Sequence, residues 1–364
     1  MVRIDKTAIA IIIMIYCVAC SKVDDIPADP ISAQTNWVKS NSVDEAILNS
    51  SFSNGELNLI AVENYYKNIH LKSPANPKSF KGFISRPGWH KLPIHNQLFV
   101  SRTETDIYIA PSGDMSNESF IKLSPKDYDK NFIRFEDIPS WQGESFGLSG
   151  TGLILIPYRT AIAGIAENEP SFLLIETAEN QNSVNVANVS LIKPNVIDYF
   201  DQVYQISSYD DFFIANIGGV IVQINSDKSI NTVGSFNYFK SAVLEDEIVS
   251  FGIHLQSNSV TTFKSSKNGK NRTETNKLTL PSEFSDIEIT TIDNKIIGFK
   301  NDRIYKIELA PNEMKITPLV NKNLEEGFIT SITQANNTVV VTALCHVICG
   351  VYTKPLSDFF EVKN

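Results

Sequence analysis

The sequence lacks the excess of basic residues that nucleic-acid-binding domains carry. Of its 364 residues, 41 are acidic and 32 are basic, which gives a formal net charge of −9. A nucleic-acid interface needs a basic patch, usually in a domain of high pI, so we expect no DNA or RNA partner. Hydrophobic residues make up 42% and charged residues 20%. This ordinary composition excludes a collagen-like, coiled-coil or wholly disordered chain.

The sequence also lacks an apolar run long enough to cross a bilayer. The longest such run extends from Thr7 to Ala19 and follows Arg3 and Lys6. A spanning helix needs about 20 apolar residues, whereas a secretory signal peptide has a positive start and an apolar core of about 7–15 residues. Residues 1–19 are therefore predicted to be a signal peptide.

The end of this run resembles a bacterial lipobox. Cys17-Val18-Ala19-Cys20 places small residues before a cysteine, and the resemblance implies that Cys20 is lipidated and becomes the mature N-terminus. Acyl chains on one residue give stable membrane anchoring. In lipoproteins of enteric bacteria, an aspartate after the lipidated cysteine is associated with retention in the inner membrane. Ser21 stands at that position here, so the resemblance implies the outer membrane. The stretch 21–25 is similar to the tether of surface lipoproteins in Bacteroidota. The alternative is an ordinary signal peptide with a chance cysteine.

Enzyme signatures are missing as well. The chain has no P-loop, nucleophile elbow, zinc-protease HExxH or dinucleotide-type glycine motif that opens a helix. Paired carboxylates occur at Asp210-Asp211, Glu245-Asp246 and Glu325-Glu326, as in a glycosidase. They fall at expected turns, however, where aspartate is favoured for its local hydrogen bonds. We therefore predict no catalytic residue and no cofactor.

What the sequence does contain is a repeat. A polar turn, an apolar strand, a second short turn and an alternating strand recur about every 47 residues from Ser40 onward. Almost no segment keeps a helical period for three turns. The turns of the seven copies are anchored at Asn54, His95, Gly150, Asp210, Glu245, Asp293 and Asn336.

A β-propeller blade consists of four short strands in about 45 residues, which matches this repeat. The predicted fold is therefore all-β, a single β-propeller over residues 37–364, after the signal peptide and a flexible tether at 20–36. Seven blades are preferred. Six would follow if Ala46 to Leu71 formed a helix. Residues near Trp37 or at Phe359 to Val362 are candidates for the strand that fastens the first blade to the last, and an irregular β-sandwich remains an alternative fold.

Cysteine is scarce, with four in the chain. Besides Cys20, Cys345 and Cys349 lie close together, and an exported protein meets an oxidising environment. A short turn between them would bring their Cβ atoms within reach, so a disulfide is predicted. A metal site that adds His346 is the alternative, but zinc needs a fourth ligand, and no metal is predicted.

Aromatic and arginine side chains in the predicted interblade connections give the candidate binding residues. Exposed rings stack on sugars or form protein hot spots, and arginine pairs with carboxylates. The alternatives are rings that plug gaps between blades and arginines that are solvated or paired with neighbouring carboxylates. The candidates are Trp89, Trp141, Arg86, Arg159 and Tyr199.

Together these patterns predict a lipid-anchored module of the outer membrane, exposed at the cell surface if the tether resemblance holds. It would bind a glycan or an envelope protein without catalysis of its own. The alternative is a glycan-processing hydrolase or lyase on the same scaffold, because fold alone does not decide chemistry.

Overall fold

The computed structural model describes residues 36–40, 43, 47–53, 56–61, 65–70, 78–81, 94–95, 98–111, 121–136, 146–167, 169–180, 183–196, 203–325, 327–344 and 350–363. Most of these residues lie in antiparallel strands, joined by tight turns. The described strands form seven sheets, numbered I to VII along the chain.

The first strand, β1 (Val38–Lys39), belongs to the last sheet. Sheet I consists of β2 (Ile47–Ser53), β3 (Glu56–Ala61), β4 (Tyr65–His70) and β5 (Lys78–Lys81). Sheet II consists of β6 (Ile94–His95), β7 (Leu98–Arg102), β8 (Ile107–Pro111) and β9 (Ile121–Leu123). A 3-10 turn at Pro125–Asp127 leads to sheet III, which consists of β10 (Phe132–Phe135), β11 (Gly147–Leu148), β12 (Leu153–Ile162), β13 (Ile165–Ala166), β14 (Ser171–Asn180) and β15 (Ser183–Ile192).

Sheets IV to VI follow the same meander. Sheet IV contains β16 (Val203–Ser208), β17 (Phe212–Ile217), β18 (Val220–Asn225) and β19 (Ile230–Ser235). Sheet V contains β20 (Tyr238–Val243), β21 (Glu247–His254), β22 (Ser259–Ser266) and β23 (Thr273–Thr279). Sheet VI contains β24 (Glu288–Ile292), β25 (Lys295–Lys300), β26 (Arg303–Ala310) and β27 (Glu313–Pro318). Sheet VII contains β28 (Phe328–Ala335), β29 (Thr338–Leu344), β30 (Gly350–Pro355) and β1, and the short helix α1 (Leu356–Phe359) follows β30.

The predicted all-β propeller is confirmed, but the seven predicted units are not equivalent. Five sheets, namely I, II, IV, V and VI, are four consecutive strands in sequence order. Sheet III departs because β10 and β11 both pair with β12, and because the short strand β13 pairs with the end of β12. Sheet VII departs because its fourth strand comes from the start of the chain. The six-blade alternative is wrong, since β2, β3 and β4 occupy the segment that it requires to be helical.

The turns between strands place asparagine and aspartate at positions with a left-handed backbone conformation. Between β24 and β25, Asp293 and Asn294 have φ values of 51° and 56°, the left-handed pair that a two-residue hairpin turn requires. Asn336 between β28 and β29 has φ 54°. Asparagine and aspartate tolerate this conformation better than other non-glycine residues. The repeat anchors therefore mark the connection between the first and second strands of the sheets.

Burial follows the position of each strand in its sheet. Every residue of β17 is buried, whereas the last strand of the same sheet, β19, alternates between half-buried and exposed. Second strands have sheets on both faces, so most of their residues are apolar and buried. First strands of neighbouring sheets contact one another, β2 with β28 and β20 with β24 among them. The first strands therefore surround the axis, and the fourth strands form the rim.

A buried cluster of hydroxyl groups joins sheet VII to sheet I. Ser50 Oγ lies 2.6 Å from Ser331 Oγ, which lies 2.6 Å from Thr342 Oγ1. Thr330 Oγ1 donates to the carbonyl oxygen of Ile47 at 2.6 Å. Each of these hydroxyls can donate and accept in turn. The first and last sheets are thus joined by satisfied polar contacts as well as by apolar packing.

The N-terminal strand β1 completes sheet VII. Val38 and Lys39 pair with Thr353 and Tyr352 of β30. The preceding Trp37 is 1% exposed, and its ring packs edge-to-face on Phe359 with centroids 6.0 Å apart. Of the two candidates for the fastening strand, the segment at Trp37 takes this position.

The C-terminal segment makes a different link. Leu319 forms an isolated antiparallel bridge with Val362, and the backbone N–H of Val320 donates to the carbonyl oxygen of Glu361 at 2.9 Å. The chain end therefore runs back to the segment that follows sheet VI. Both described ends of the chain lie around one apolar cluster in sheet VII.

Replacing Trp37 by alanine tests this closure. Loss of a large buried ring is expected to lower the free energy of unfolding by about 3–5 kcal/mol, measured by urea denaturation. Val38 on the same strand is exposed, so Val38→Ala is the matched control and should stay within about 0.5 kcal/mol of wild type. Equal, small effects of both substitutions would contradict closure by β1.

Lys354 on β30 is a buried cation whose Nζ has no hydrogen-bond partner among the described residues. Its side chain is 0% exposed, and Glu361 Oε2 lies 3.8 Å from Nζ. Burial lowers the pKa of Lys354, against the raising effect of Glu361 and Asp358. The folded protein therefore binds this proton less readily than the unfolded chain, and stability rises with pH between the lowered pKa and the ordinary value near 10.4.

Lys354→Met should consequently stabilise the protein by about 1 kcal/mol or more at neutral pH. The gain should shrink towards zero as the pH approaches about 10.4. Urea denaturation across this pH range measures it, with the exposed Lys264→Met as control for general charge effects. A gain that is independent of pH would show that the titration of Lys354 is not its source.

Candidate functional site

A cleft of about 680 Å³ opens between sheets IV and V. It lies between the outer strands of the two sheets and away from the axis, where the first strands meet. Sheet IV contributes β18, β19 and the turn that joins them, and sheet V contributes β22, β23 and their turn. The lining residues are Asp211, Gln223, Asn225, Ser226, Asp227, Ser229, Asn231, Thr232, Val233, Phe263, Asn268, Gly269, Lys270, Asn271, Arg272 and Glu274.

The β18–β19 turn forms one wall and is held by its own side chains. Asp227 Oδ1 accepts from the backbone N–H of Ser229 at 2.9 Å and from its hydroxyl at 2.5 Å. These bonds lower the pKa of Asp227. Asn225 Nδ2 donates to Ser229 Oγ at 2.9 Å. The turn therefore presents a fixed row of amide, hydroxyl and carboxylate groups.

The β22–β23 turn forms the opposite wall. Ser266 Oγ donates to Asn268 Oδ1 at 2.7 Å, and the same Asn268 oxygen accepts from the backbone N–H of Lys270 at 3.1 Å. Such side-chain-to-backbone bonds stabilise turns rich in asparagine and serine. The turn ends at Arg272, immediately before β23.

Gly269 lets this turn lie directly on sheet IV. Its φ is +73°, and a Cβ at this position would lie 2.7 Å from Gln223 Nε2 and 2.9 Å from Cε1 and Cζ of Phe212. Both the conformation and the space require glycine. The contact sets the width of the cleft, because it fixes the turn of one sheet against the second and third strands of the other.

A cluster of aromatic side chains lies between sheets IV and V, and its member Phe263 lines the floor of the cleft. Phe236 and Phe239 are buried together with Phe212 and Phe263 in one cluster between sheets IV and V. Tyr209 stacks on Phe212 with centroids 4.4 Å apart, and burial raises the pKa of Tyr209 to about 12. The rings fill the gap that opens as two sheets of a propeller diverge outward from the axis. Phe236 and Phe239 are among these gap-filling rings.

Charges in the cleft are unevenly compensated. Asp227 is satisfied by Ser229, and its pKa is also lowered by nearby Lys270. Arg272 is half-buried, its Nε has no hydrogen-bond partner in the described part of the chain, and burial lowers its pKa. Among the residues that the structure describes, Arg272 forms no ion pair. The β22–β23 turn thus contributes two cations, Lys270 and Arg272, to a cleft that also holds the carboxylates of Asp211, Asp227 and Glu274.

Arg159 lies elsewhere and is not on an interblade loop. It is part of β12 and 1% exposed, and its Nε donates to Glu136 Oε1 in a buried ion pair. The expectation that Arg159 projects from a connection is wrong, because the strand continues through it. This burial gives no support to a direct contact with ligand, and the alternative of a paired arginine fits its surroundings.

The other predicted site residues lie outside the described part of the chain. They are Cys20, Arg86, Trp89, Trp141, Tyr199, Cys345 and Cys349. The lipidation, the disulfide and the four ligand contacts stay predictions. Among described residues, no group of three or more histidine, cysteine or acidic side chains is placed to hold a metal, and no helix has the length and apolar character of a membrane span.

The glycine-rich segment around Gly150 is the turn between β11 and β12 within sheet III, not a connection between blades, and it contacts sheet IV. The backbone N–H of Gly150 donates to the carbonyl oxygen of Tyr209 at 3.2 Å, and Thr151 Oγ1 donates to that of Asp210 at 2.8 Å. The segment therefore joins sheet III to the turn before β17, close to the floor of the cleft.

Sequence reasoning missed Lys270 and Arg272. Both lie in a polar turn that reads as an ordinary hairpin connection. The available signal was charge: Lys267, Lys270 and Arg272 crowd into one turn of a chain whose net charge is −9. Nothing in the sequence places this turn opposite the β18–β19 turn, since that depends on the packing of sheet V against sheet IV.

Comparison with known proteins supports the fold. No protein-family model matches the chain, and no curated protein matches it in sequence. Solved structures do match in shape. The WD40 domain of Pan2 from Neurospora crassa has a TM-score of 0.53 at 12% identity, covering 90% of this chain and 98% of that one. The WD40 repeats of RRP9 give 0.52 at 10% identity, covering 89% and 98%.

The structure of U3-55K gives a TM-score of 0.51 at 10% identity, covering 89% of this chain and 99% of that one. WD40 repeats build β-propellers. At these identities the likeness establishes the fold alone. The chain is a β-propeller.

Gly269→Ala tests the geometry of the cleft. A left-handed alanine costs about 1–2 kcal/mol, and the clash with Gln223 and Phe212 should add about 1 kcal/mol or more. Gly164 is the control. Its φ is +82°, and a Cβ at this position would have no atom within 4 Å, so Gly164→Ala should show the cost of the left-handed backbone without a steric clash. Urea denaturation of Gly269→Ala and Gly164→Ala should show the larger loss for Gly269. Equal losses would mean that the turn does not contact sheet IV.

Proposed function

We propose that the protein is a binding module, anchored to the outer membrane through lipid on Cys20 and exposing its propeller to a partner. The binding function is supported by the cleft between sheets IV and V, which is a preformed site with fixed polar walls. Concave sites that already exist in the free protein are the usual places for ligands. The anchor is supported by the lipobox resemblance of residues 17–20, and the cell-surface location by the tether resemblance of 21–25.

The cleft suits recognition better than chemistry. A glycosidase acid needs a raised pKa to hold its proton near neutrality. The pKa of Asp227 is shifted downward by its bonds from Ser229, which makes it a hydrogen-bond acceptor and a poor proton donor. The turn residues around it are engaged in hydrogen bonds that fix shape. We therefore favour binding over the glycan-processing alternative.

We infer that the five regular sheets, sheet III and the composite sheet VII form one closed ring. The hydroxyl contacts between β2 and β28 support this closure, because they bring the first and last sheets together. Cys345 and Cys349, between β29 and β30, are proposed to form a disulfide across that connection.

Cys20→Ser tests the anchor. Intact mass spectrometry of the wild-type protein should show an N-terminus at Cys20 carrying acyl groups, and the protein should fractionate with membranes. The serine variant should carry no lipid and leave the membrane fraction, because serine has no thiol to acylate. Cys17→Leu restores the usual aliphatic residue of a lipobox and should keep the lipid. An unlipidated wild-type protein would contradict the anchor.

Binding and catalysis are separated by one assay. Detergent-solubilised wild-type protein is incubated with neutral and acidic glycans, and both saturable binding and turnover are measured. Saturable binding without product supports the module. Product formation supports the enzyme alternative. Stable co-purification of an envelope protein with no glycan bound would support a protein partner.

A further inference from the structure

The β22–β23 turn places a cation in the cleft without a counter-ion from the described chain. Arg272 Nε is buried and has no hydrogen-bond partner among the residues that the structure describes. Burial lowers the pKa of Arg272, and among the described residues Tyr209 opposes this effect. Leaving a half-buried guanidinium unpaired costs free energy. An anion that enters the cleft would recover this cost.

A second cation reinforces this end of the cleft. Lys270 precedes Arg272 by two residues in the same turn and also lines the cleft. It acts electrostatically on Asp227, but the carboxylate of Asp227 is already bonded to Ser229. Asp211 and Glu274 are the other acidic lining residues, and neither forms an ion pair with Arg272. A guanidinium in this position can hold a carboxylate with two parallel hydrogen bonds.

The other lining residues indicate the class of molecule to which the anionic group belongs. Half of the lining residues carry amide or hydroxyl groups, which can donate or accept hydrogen bonds as sugar hydroxyls require. Phe263 supplies an aromatic edge at the floor, and Val233 is the other apolar lining residue. An extended peptide would need pockets for its apolar side chains, which this lining does not offer. The polar residues in question are Gln223, Asn225, Ser226, Ser229, Asn231, Thr232, Asn268 and Asn271.

We propose that the cleft between sheets IV and V binds an acidic saccharide, whose carboxylate pairs with Arg272 and Lys270 while its hydroxyls bond to the β18–β19 turn. The inference rests on the proposed binding function and adds the class of ligand. Phe263 and the fixed turns make the site selective for shape, and the guanidinium makes it selective for charge.

The test compares trigalacturonate with its neutral methyl ester, by calorimetry on the purified full-length protein at about 150 mM salt, where exposed charges are screened. Wild type should bind the acid about tenfold or more tightly than the ester. Arg272→Gln should lose that preference, and Arg272→Lys should keep part of it, because lysine retains the charge without the fork. Arg303→Gln removes an exposed arginine from sheet VI and should change nothing.

Folding is checked separately. If Arg272→Gln lowers the melting temperature, Lys270→Gln at the exposed part of the turn serves instead, and it should weaken binding of the acid but not of the ester. Equal affinity of wild type for acid and ester would overturn the acidic-saccharide inference while leaving a glycan-binding module. Tighter binding of hexaglutamate than of trigalacturonate would overturn it in favour of an acidic peptide. Binding of no saccharide at all would also overturn the acidic-saccharide inference. The lipid anchor at Cys20 is tested independently of this result, by mass spectrometry.

Discussion

The pairing of β1 with β30 is the constraint on which the rest of the fold depends. A radial stack of sheets leaves strand edges and apolar faces open unless its two ends meet. Here the start of the chain supplies the outer strand of the last sheet, and Trp37 fills the apolar space beside Phe359. The hydroxyl contacts of Ser50 with sheet VII lie close to the axis. Ring closure is thus held both at the rim and near the centre, by contacts between residues that are far apart in sequence.

The position of the cleft follows from the same geometry. Sheets that radiate from an axis diverge towards the rim, and the divergence between IV and V is filled by a layer of phenylalanines. Beyond that layer the two turns face each other, and Gly269 fixes their separation. The polar walls and the unpaired Arg272 therefore sit over a rigid apolar floor. A rigid floor limits the entropy lost when a ligand is bound.

Much of this architecture could be predicted from the sequence, because a blade is a local unit. The anchors Asp210, Asp293 and Asn336 mark turns that a strand meander requires, and the apolar period near them gives the strands. The special features of sheets III and VII could not be read in this way, since β10 and β11 pair with one strand and β1 pairs across the whole chain. Arg159 was misplaced for a related reason: its strand, β12, is longer than the repeat predicts. The sequence does not identify Lys270 and Arg272 as cleft residues, because their position in the cleft depends on the packing of sheet V against sheet IV.

Hydrogen exchange at the N-terminal strand tests the closure most directly. The backbone N–H of Ser40 donates to the carbonyl oxygen of Val351 at 2.7 Å, so its exchange requires β1 to leave β30. If β1 closes the ring, this amide should exchange as slowly as those of β29 in the same sheet, through opening of the whole sheet. Exchange of Ser40 at the rate of an unprotected peptide, with β29 still protected, would show that the ring closes without its N-terminal strand.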